Sequence, residues 1–210
     1  MFLSWIDKAK SLQIKQNKEW IEVLAGWETA NSYSILDENG EKKADLLERS
    51  NGVMDTLLKQ FLGSHRGFEA VLLDLDQTEL LRFKRSAFFI LSNLHVLDKE
   101  RKLLGRAQRR IGIINKKYDL YDNSGQIFAR IKSPIWRIWT FRVYISSSDK
   151  PIATISKQWS GAFKEAFTDT DNFKIEFGNH NWTSQQKRVI IAAALSIDFD
   201  FFENNQGRND

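Results

Sequence analysis

The chain has 210 residues, a length suited to one domain with enough interior to fold without staples, and its Lys and Arg exceed its Asp and Glu to give a net charge of +4. It contains no cysteine, which excludes disulfides, thiolate metal centres and cysteine nucleophiles and fits a reducing, cytoplasmic compartment.

Residues 1–17 read as a short N-terminal segment in which Phe2, Leu3, Trp5 and Ile6 precede Asp7 and Lys8. That apolar stretch is too short and too quickly charged to be a signal-peptide core, so it is expected to lie on the domain itself. Residues 18–204 are expected to form the single domain, and 205–210 a flexible tail. Within the domain one outline repeats: YSILDENGEKKADL at 33–46, AVLLDLDQTELLRF at 70–83, LHVLDKERKLLGRA at 94–107 and YDLYDNSGQIFARI at 118–131. Each is an apolar strand end, an Asp, a polar corner and a second strand. Asp37, Asp74, Asp98 and Asp122 hold the same place, the last three being 24 residues apart. Asp, Asn and Gly suit such corners because they tolerate left-handed backbone or bond their own turn. VYISSSDKPIATIS at 143–156 is a degenerate fifth copy. Consecutive hairpins make an antiparallel meander, and sheets of that length curl into sandwiches or barrels.

Helical periodicity is scarce. MDTLLKQFL near 53–61 and SGAFKEAF at 160–167 each suggest a turn or two. Between them runs the densest positive charge: Lys99, Arg101, Lys102, Arg106, Arg109, Arg110, Lys116 and Lys117, against Glu100 alone. The run either meets anionic head groups or phosphates, or is the solvated outer face of two strands. Trp136, Trp139 and Phe141, interleaved with Arg137 and Arg142, are read as one strand, either a membrane-interface patch or barrel core and rim. Phe173, Ile175 and Phe177 alternate with Lys174 and Glu176, which predicts a half-buried strand behind an acidic loop. TSQQKRVIIAAAL at 183–195 opens with a capping-box spacing and turns apolar on every side, so it must be buried. Lipid suits it poorly, since the stretch from Val189 to Phe202 reaches only about 21 Å as helix against a hydrocarbon core of about 30 Å. A helix rich in alanine, threaded through a narrow barrel, fits better. After Leu195 the period changes, and Ile197, Phe199 and Phe201 suit either a helix exit or a short strand.

Several motifs in one order carry a resemblance. GWETANSY at 26–33, FLGSHRGFEAVLLD at 61–74, LLGRAQRR at 103–110, SPIWRIWTFRV at 133–143, KQWSGAFKEAFTDTDNFKIEF at 157–177 and SIDFDFFE at 196–203 together resemble the phospholipid scramblases and their bacterial relatives. The resemblance implies a fold like that of Tubby C-terminal domains and plant LURP-one-related proteins. That fold is mainly β, a closed antiparallel barrel of about twelve strands around a central apolar C-terminal helix. It also implies phospholipid binding, or scrambling of a bilayer, at a cytoplasmic membrane face. The eight cations from Lys99 to Lys117 are the candidate head-group contacts. The alternative is a soluble regulatory barrel that binds a ligand or a protein and moves no lipid. This chain lacks the proline-rich region and the cysteine cluster that the resemblance would place before the barrel, so membrane contact is expected to be peripheral.

The family's calcium segment falls at Asp169 to His180. Counted as an EF-hand loop, Asp169 and Asp171 take the first and third places, but Lys174 stands where glycine should turn the loop and His180 where a bidentate carboxylate should close it. Calcium is therefore expected to bind weakly or not at all, and no other cofactor is implied. His65, His95 and His180 lie in separate segments without metal spacing, and no nucleophile elbow, phosphate loop or dinucleotide fingerprint occurs, so no enzyme is expected. Nucleic acid is disfavoured because INKKYDLYD lacks the paired exposed aromatics that stack bases, and a monomer is expected.

Overall fold

The structure, a computed structural model, describes residues 3–17, 29–49, 67–87, 91–137, 139–158 and 172–201. A short helix α1 (Ser4–Lys8) leads into twelve strands. These are β1 (Ser11–Gln16), β2 (Thr29–Leu36), β3 (Lys42–Arg49), β4 (Phe68–Leu73), β5 (Glu79–Arg85) and β6 (Asn93–Asp98), then β7 (Leu103–Arg110), β8 (Asn115–Asp122), β9 (Ile127–Pro134), β10 (Thr140–Tyr144), β11 (Ala153–Gln158) and β12 (Asn172–Glu176). Helix α2 (Ser184–Phe201) follows. Every strand pairs antiparallel with its sequence neighbours, and β1 closes the barrel on β12 with Leu12 opposite Ile175 and Ile14 opposite Phe173. Closure removes both sheet edges, which an open meander would expose to other chains.

The four predicted corners share one geometry. The N–H groups two and four residues on donate to the Asp carboxylate: Asn39 and Glu41 to Asp37 at 2.9 and 3.0 Å, Asp76 and Thr78 to Asp74 at 3.0 and 2.8 Å, and Ser124 and Gln126 to Asp122 at 2.9 Å each. At Asp98 the Lys102 N–H does the same at 2.8 Å. The residue three beyond each Asp takes a left-handed backbone: Gly40, Gln77, Arg101 and Gly125. The fifth copy is a hairpin of another kind, closed by Ile152 N–H donating to Val143 O at 2.8 Å.

Inside, α2 is the plug that the alanine-rich run predicts. Its capping box forms, with Gln186 N–H donating to Thr183 Oγ1 at 3.2 Å and Thr183 N–H to Gln186 Oε1 at 2.9 Å. Val189 through Asp200 are all buried. They pack on strand residues that alternate inward, among them Phe83, Val96, Ala107, Leu120, Ile131 and Ile155. Each such side chain larger than alanine contributes about 1.5–3 kcal/mol through burial. The helix runs on through Ile197, Phe199 and Phe201, which settles the open exit as helix. The alternating pattern there arises because the barrel wall supplies polar partners on two sides. Tyr33 donates its hydroxyl to Asp198 at 3.1 Å, while Arg85 and Tyr118 hold Asp200 at 2.8 and 2.6 Å. At the helix start Lys187 donates its ammonium to the carbonyls of Ile6, Asp7 and Ala9 at 3.2, 2.6 and 2.8 Å, binding α1 to the plug. Trp5 packs on the same core. The helical readings at 53–61 and 160–167 lie outside the described residues.

Candidate functional site

The antiparallel order gives the barrel two unlike ends. The four Asp corners and the start of α2 share one of them. At the other, the mouth, stand the end of α2, the β7–β8 turn and the β9–β10 connection. Side chains two apart on a strand share a face. Ala107 on β7 and Tyr118 on β8 are fully buried against α2, so Arg109 and Lys116, one inward place nearer the mouth, also point in. The Arg109 guanidinium lies 4.7 Å from the Phe201 ring centre, and Lys116 Nζ lies 4.4 Å from it and 5.3 Å from that of Phe141. Burial, followed by the neighbouring Arg109 charge, pushes the Lys116 ammonium below its ordinary pKa.

These groups line a cavity of about 310 Å³ with Arg110, Leu91, Ile111 and Ile135 on its walls and Phe201 at its floor. Among the described residues no carboxylate lines it. Asp200 is engaged by Arg85 and Tyr118 and also lies within reach of the Arg109 charge. Two inward cations over an aromatic ring, with aliphatic walls and, among the described residues, an open top, suit an anionic group that carries an apolar remainder.

The predicted cations do not form one patch. Lys99, Arg101 and Lys102 occupy the β6–β7 corner at the closed-turn end, about 23 Å from Arg110 along β7. There Lys99 lies 3.5 Å from Glu100, and Arg101 donates to Glu79 at 3.1 Å. Arg106 faces outward and stacks on Tyr121 at 4.2 Å. Arg110 stands on the outer side of β7, 3.4 Å from Asp119. Lys117 alternates with the inward Lys116 and so takes the outer side of β8. The mouth thus collects Arg109, Arg110, Lys116 and Lys117 and leaves the other four elsewhere.

Trp136 and Trp139 are not strand residues. Trp136 lies in the turn after β9 and Trp139 just before β10, both exposed, while Phe141 is buried in the core. The proline and the short turn end β9 before the tryptophan pair, so of the alternating residues only Phe141 and Arg142 become sheet, in β10. Asp169 and Asp171 lie outside the described residues. Of the calcium-loop positions that are described, Phe173, Ile175 and Phe177 are buried in or beside β12, where a strand rather than a ligand loop is built. Among the described residues no group of three or more His, Asp or Glu is placed to hold a metal ion. No described helix is long and apolar enough to cross a membrane. His95 faces outward beside Arg106, and burial followed by that guanidinium lowers its pKa.

Sequence reasoning raised Trp136 and Trp139 as a membrane-interface patch but missed the isoleucines that join them around the mouth. Ile111, Ile113 and Ile114 in the β7–β8 turn, with Ile135, Trp136 and Trp139, are six of the eight large hydrophobic side chains exposed among the described residues. The signal was present: three isoleucines around Gly112, where a turn normally takes polar residues.

A family model described as scramblase matches residues 1–204. Among curated proteins the chain is 25% identical to altered inheritance rate of mitochondria protein 25 of Saccharomyces cerevisiae, over 91% of this chain and 70% of that one. It is 23% identical to a phospholipid scramblase family protein of Schizosaccharomyces pombe, over 93% of this chain and 60% of that one. It is 26% identical to phospholipid scramblase 1 of Mus musculus, over 96% of this chain and 63% of the mouse protein. The chain therefore spans less than two thirds of the length of the last two. Among solved structures, a protein from Arabidopsis thaliana superposes with a TM-score of 0.51 at 15% identity, covering 95% of this chain and 96% of that one. The two share a fold, which in this chain is a closed antiparallel barrel around a helix.

Proposed function

We propose that this chain, which belongs to the scramblase family, binds phospholipids peripherally at a cytoplasmic membrane face and takes the phosphate of an anionic lipid into the mouth of its barrel. The observation that carries this reading is the pair of inward cations, Arg109 and Lys116, over Phe201 in a cavity with aliphatic walls. A phosphodiester accepts from the two cations, and the first atoms of the acyl chains meet Ile111 and Ile135. Binding is favoured over translocation by this chain alone. A head group crossing hydrocarbon needs a hydrated path, and the interior of this barrel is filled by α2 with Val189 to Leu195 packed on the wall. Bilayer scrambling, where it occurs, then requires a deformed bilayer or a partner beyond the barrel itself.

The test is flotation with vesicles of phosphatidylcholine alone or mixed with phosphatidylglycerol, across a salt series. Each well-placed cation adds about 1 kcal/mol at an anionic surface, so Arg109→Gln with Lys116→Gln is expected to weaken binding to the anionic vesicles about 30-fold. Lys99→Gln with Lys102→Gln, at the far end, is expected to leave it within about twofold. Equal losses from both pairs, or no anionic preference, would sink the mouth as the lipid site.

A further inference from the structure

The exposed aliphatic and aromatic residues beside the mouth have no role in the cavity's electrostatics, yet they form one feature. Strands β8 and β9 are neighbours with Asn115 opposite Pro134, so the turn before one adjoins the turn after the other. Ile135 N–H donates to Ile114 O at 3.1 Å and ties the two turns together. On this joined tip Ile113 is 92% exposed, Ile111 72% and Trp136 69%. Arg110 and Lys117 flank one turn and Arg137 follows Trp136 in the other, and neither 109–117 nor 132–142 contains an Asp or Glu. Water solvates such side chains at a cost, and the tip is held that way by paired backbone.

We infer that this tip is a membrane-insertion point: Ile111, Ile113, Ile114, Ile135, Trp136 and Trp139 enter the interface of an anionic phospholipid bilayer and stand the barrel end-on, mouth toward the lipid. The inference rests on the lipid-binding reading above and adds to it the depth and orientation of docking. Charge complementarity selects the occupant. Cations around an apolar point fit anionic head groups around acyl chains, and tryptophan settles at that boundary. A protein partner is a poorer match, because stable interfaces engage about 20–30 residues a side and two short convex turns offer far fewer. Insertion rewards each side chain singly. It also explains why Ile111 and Ile135 serve both the tip and the cavity wall: sinking the tip brings Arg109 and Lys116 to the level of the phosphates.

The absence of native cysteine allows a direct test on the whole chain. Ile113→Cys and, at the opposite end, Asn123→Cys are each labelled with an environment-sensitive fluorophore and mixed with phosphatidylcholine–phosphatidylglycerol vesicles. The expected result is a blue shift at position 113, quenched by spin labels on the upper acyl chain, and no change at 123. Ile113→Asp with Trp136→Asp is expected to lose about tenfold or more of the binding that survives high salt, since that component depends on buried apolar area. Flotation with both labels remaining in water overturns the insertion and leaves the electrostatic lipid reading intact. No flotation under any condition overturns both. A loss in the double variant while position 113 of the parent stays unquenched also counts against insertion.

Discussion

Lys116 holds its charge where the surroundings penalise it, under burial and beside Arg109, and this sets the pH range in which the mouth can work. A lysine pushed below its ordinary pKa of about 10.4 loses its proton earlier as pH rises. The ammonium form is complete below the lowered pKa, so anion binding is at full strength there and falls as pH climbs through it. An arriving phosphate favours the charged form and raises that pKa again, so binding at alkaline pH takes up protons. With phosphatidylglycerol vesicles, whose head group does not titrate at alkaline pH, affinity is expected to decline over an interval of pH below the one in which an ordinary lysine titrates. Lys116→Arg keeps its charge throughout, and its curve should stay flat over the same interval. Superimposable curves for the two proteins would remove Lys116 from the anion site.

The hairpin corner is the element that the sequence announces most clearly, because a single carboxylate accepting from two N–H groups leaves a recognisable Asp at each repeat. What the repeat did not disclose is the backbone at the third residue beyond it. Gly40 and Gly125 occupy left-handed backbone without penalty, whereas Gln77 and Arg101 carry a Cβ there, at φ of 63° and 65°. Left-handed backbone costs a residue with Cβ about 1–2 kcal/mol, against roughly 0.5–1 kcal/mol of extra chain entropy that glycine loses on folding. Gln77→Gly is therefore expected to stabilise by about 0.5–1 kcal/mol and raise the melting temperature by about 1–4 °C. Gly125→Ala should lower it by a similar amount. A fall in melting temperature with Gln77→Gly would show that the side chain contributes more than its backbone costs. The end of α2 shows the opposite limit of sequence reading. Local alternation at Ile197, Phe199 and Phe201 imitates a strand, and only the wall residues Tyr33, Arg85 and Tyr118, far away in the chain, make it helix.

At the scale of the molecule, the barrel and its plug determine each other, and this is why the fold was more legible than the site. An alanine-rich apolar run demands a narrow enclosure, and a long meander supplies one, so both halves of the fold could be read locally. The site depends on two things that no local pattern contains. Hairpin reversal divides the cationic run from Lys99 to Lys117 between opposite ends, and strand parity turns Arg109 and Lys116 inward while Arg110 and Lys117 face out. Both follow from β7 lying against α2, and that approach is close. A Cβ at Gly105 would come within 2.6 Å of Val189 Cγ2 and would strike the Tyr121 carbonyl oxygen. Overpacking of this kind costs about 1–3 kcal/mol, and Gly105→Ala is expected to lie at the upper end because one obstacle is backbone that cannot rotate away. Adding Val189→Ala relieves the clash with the helix but not the one with Tyr121. The double variant should then recover part of what the sum of the two single losses predicts, a coupling of about 0.5 kcal/mol or more in a denaturation cycle. Strict additivity would mean that β7 moves away from α2 to admit the methyl group. In that case Phe201 would no longer be fixed beneath Arg109, and Gly105→Ala alone would weaken anionic vesicle binding along with stability.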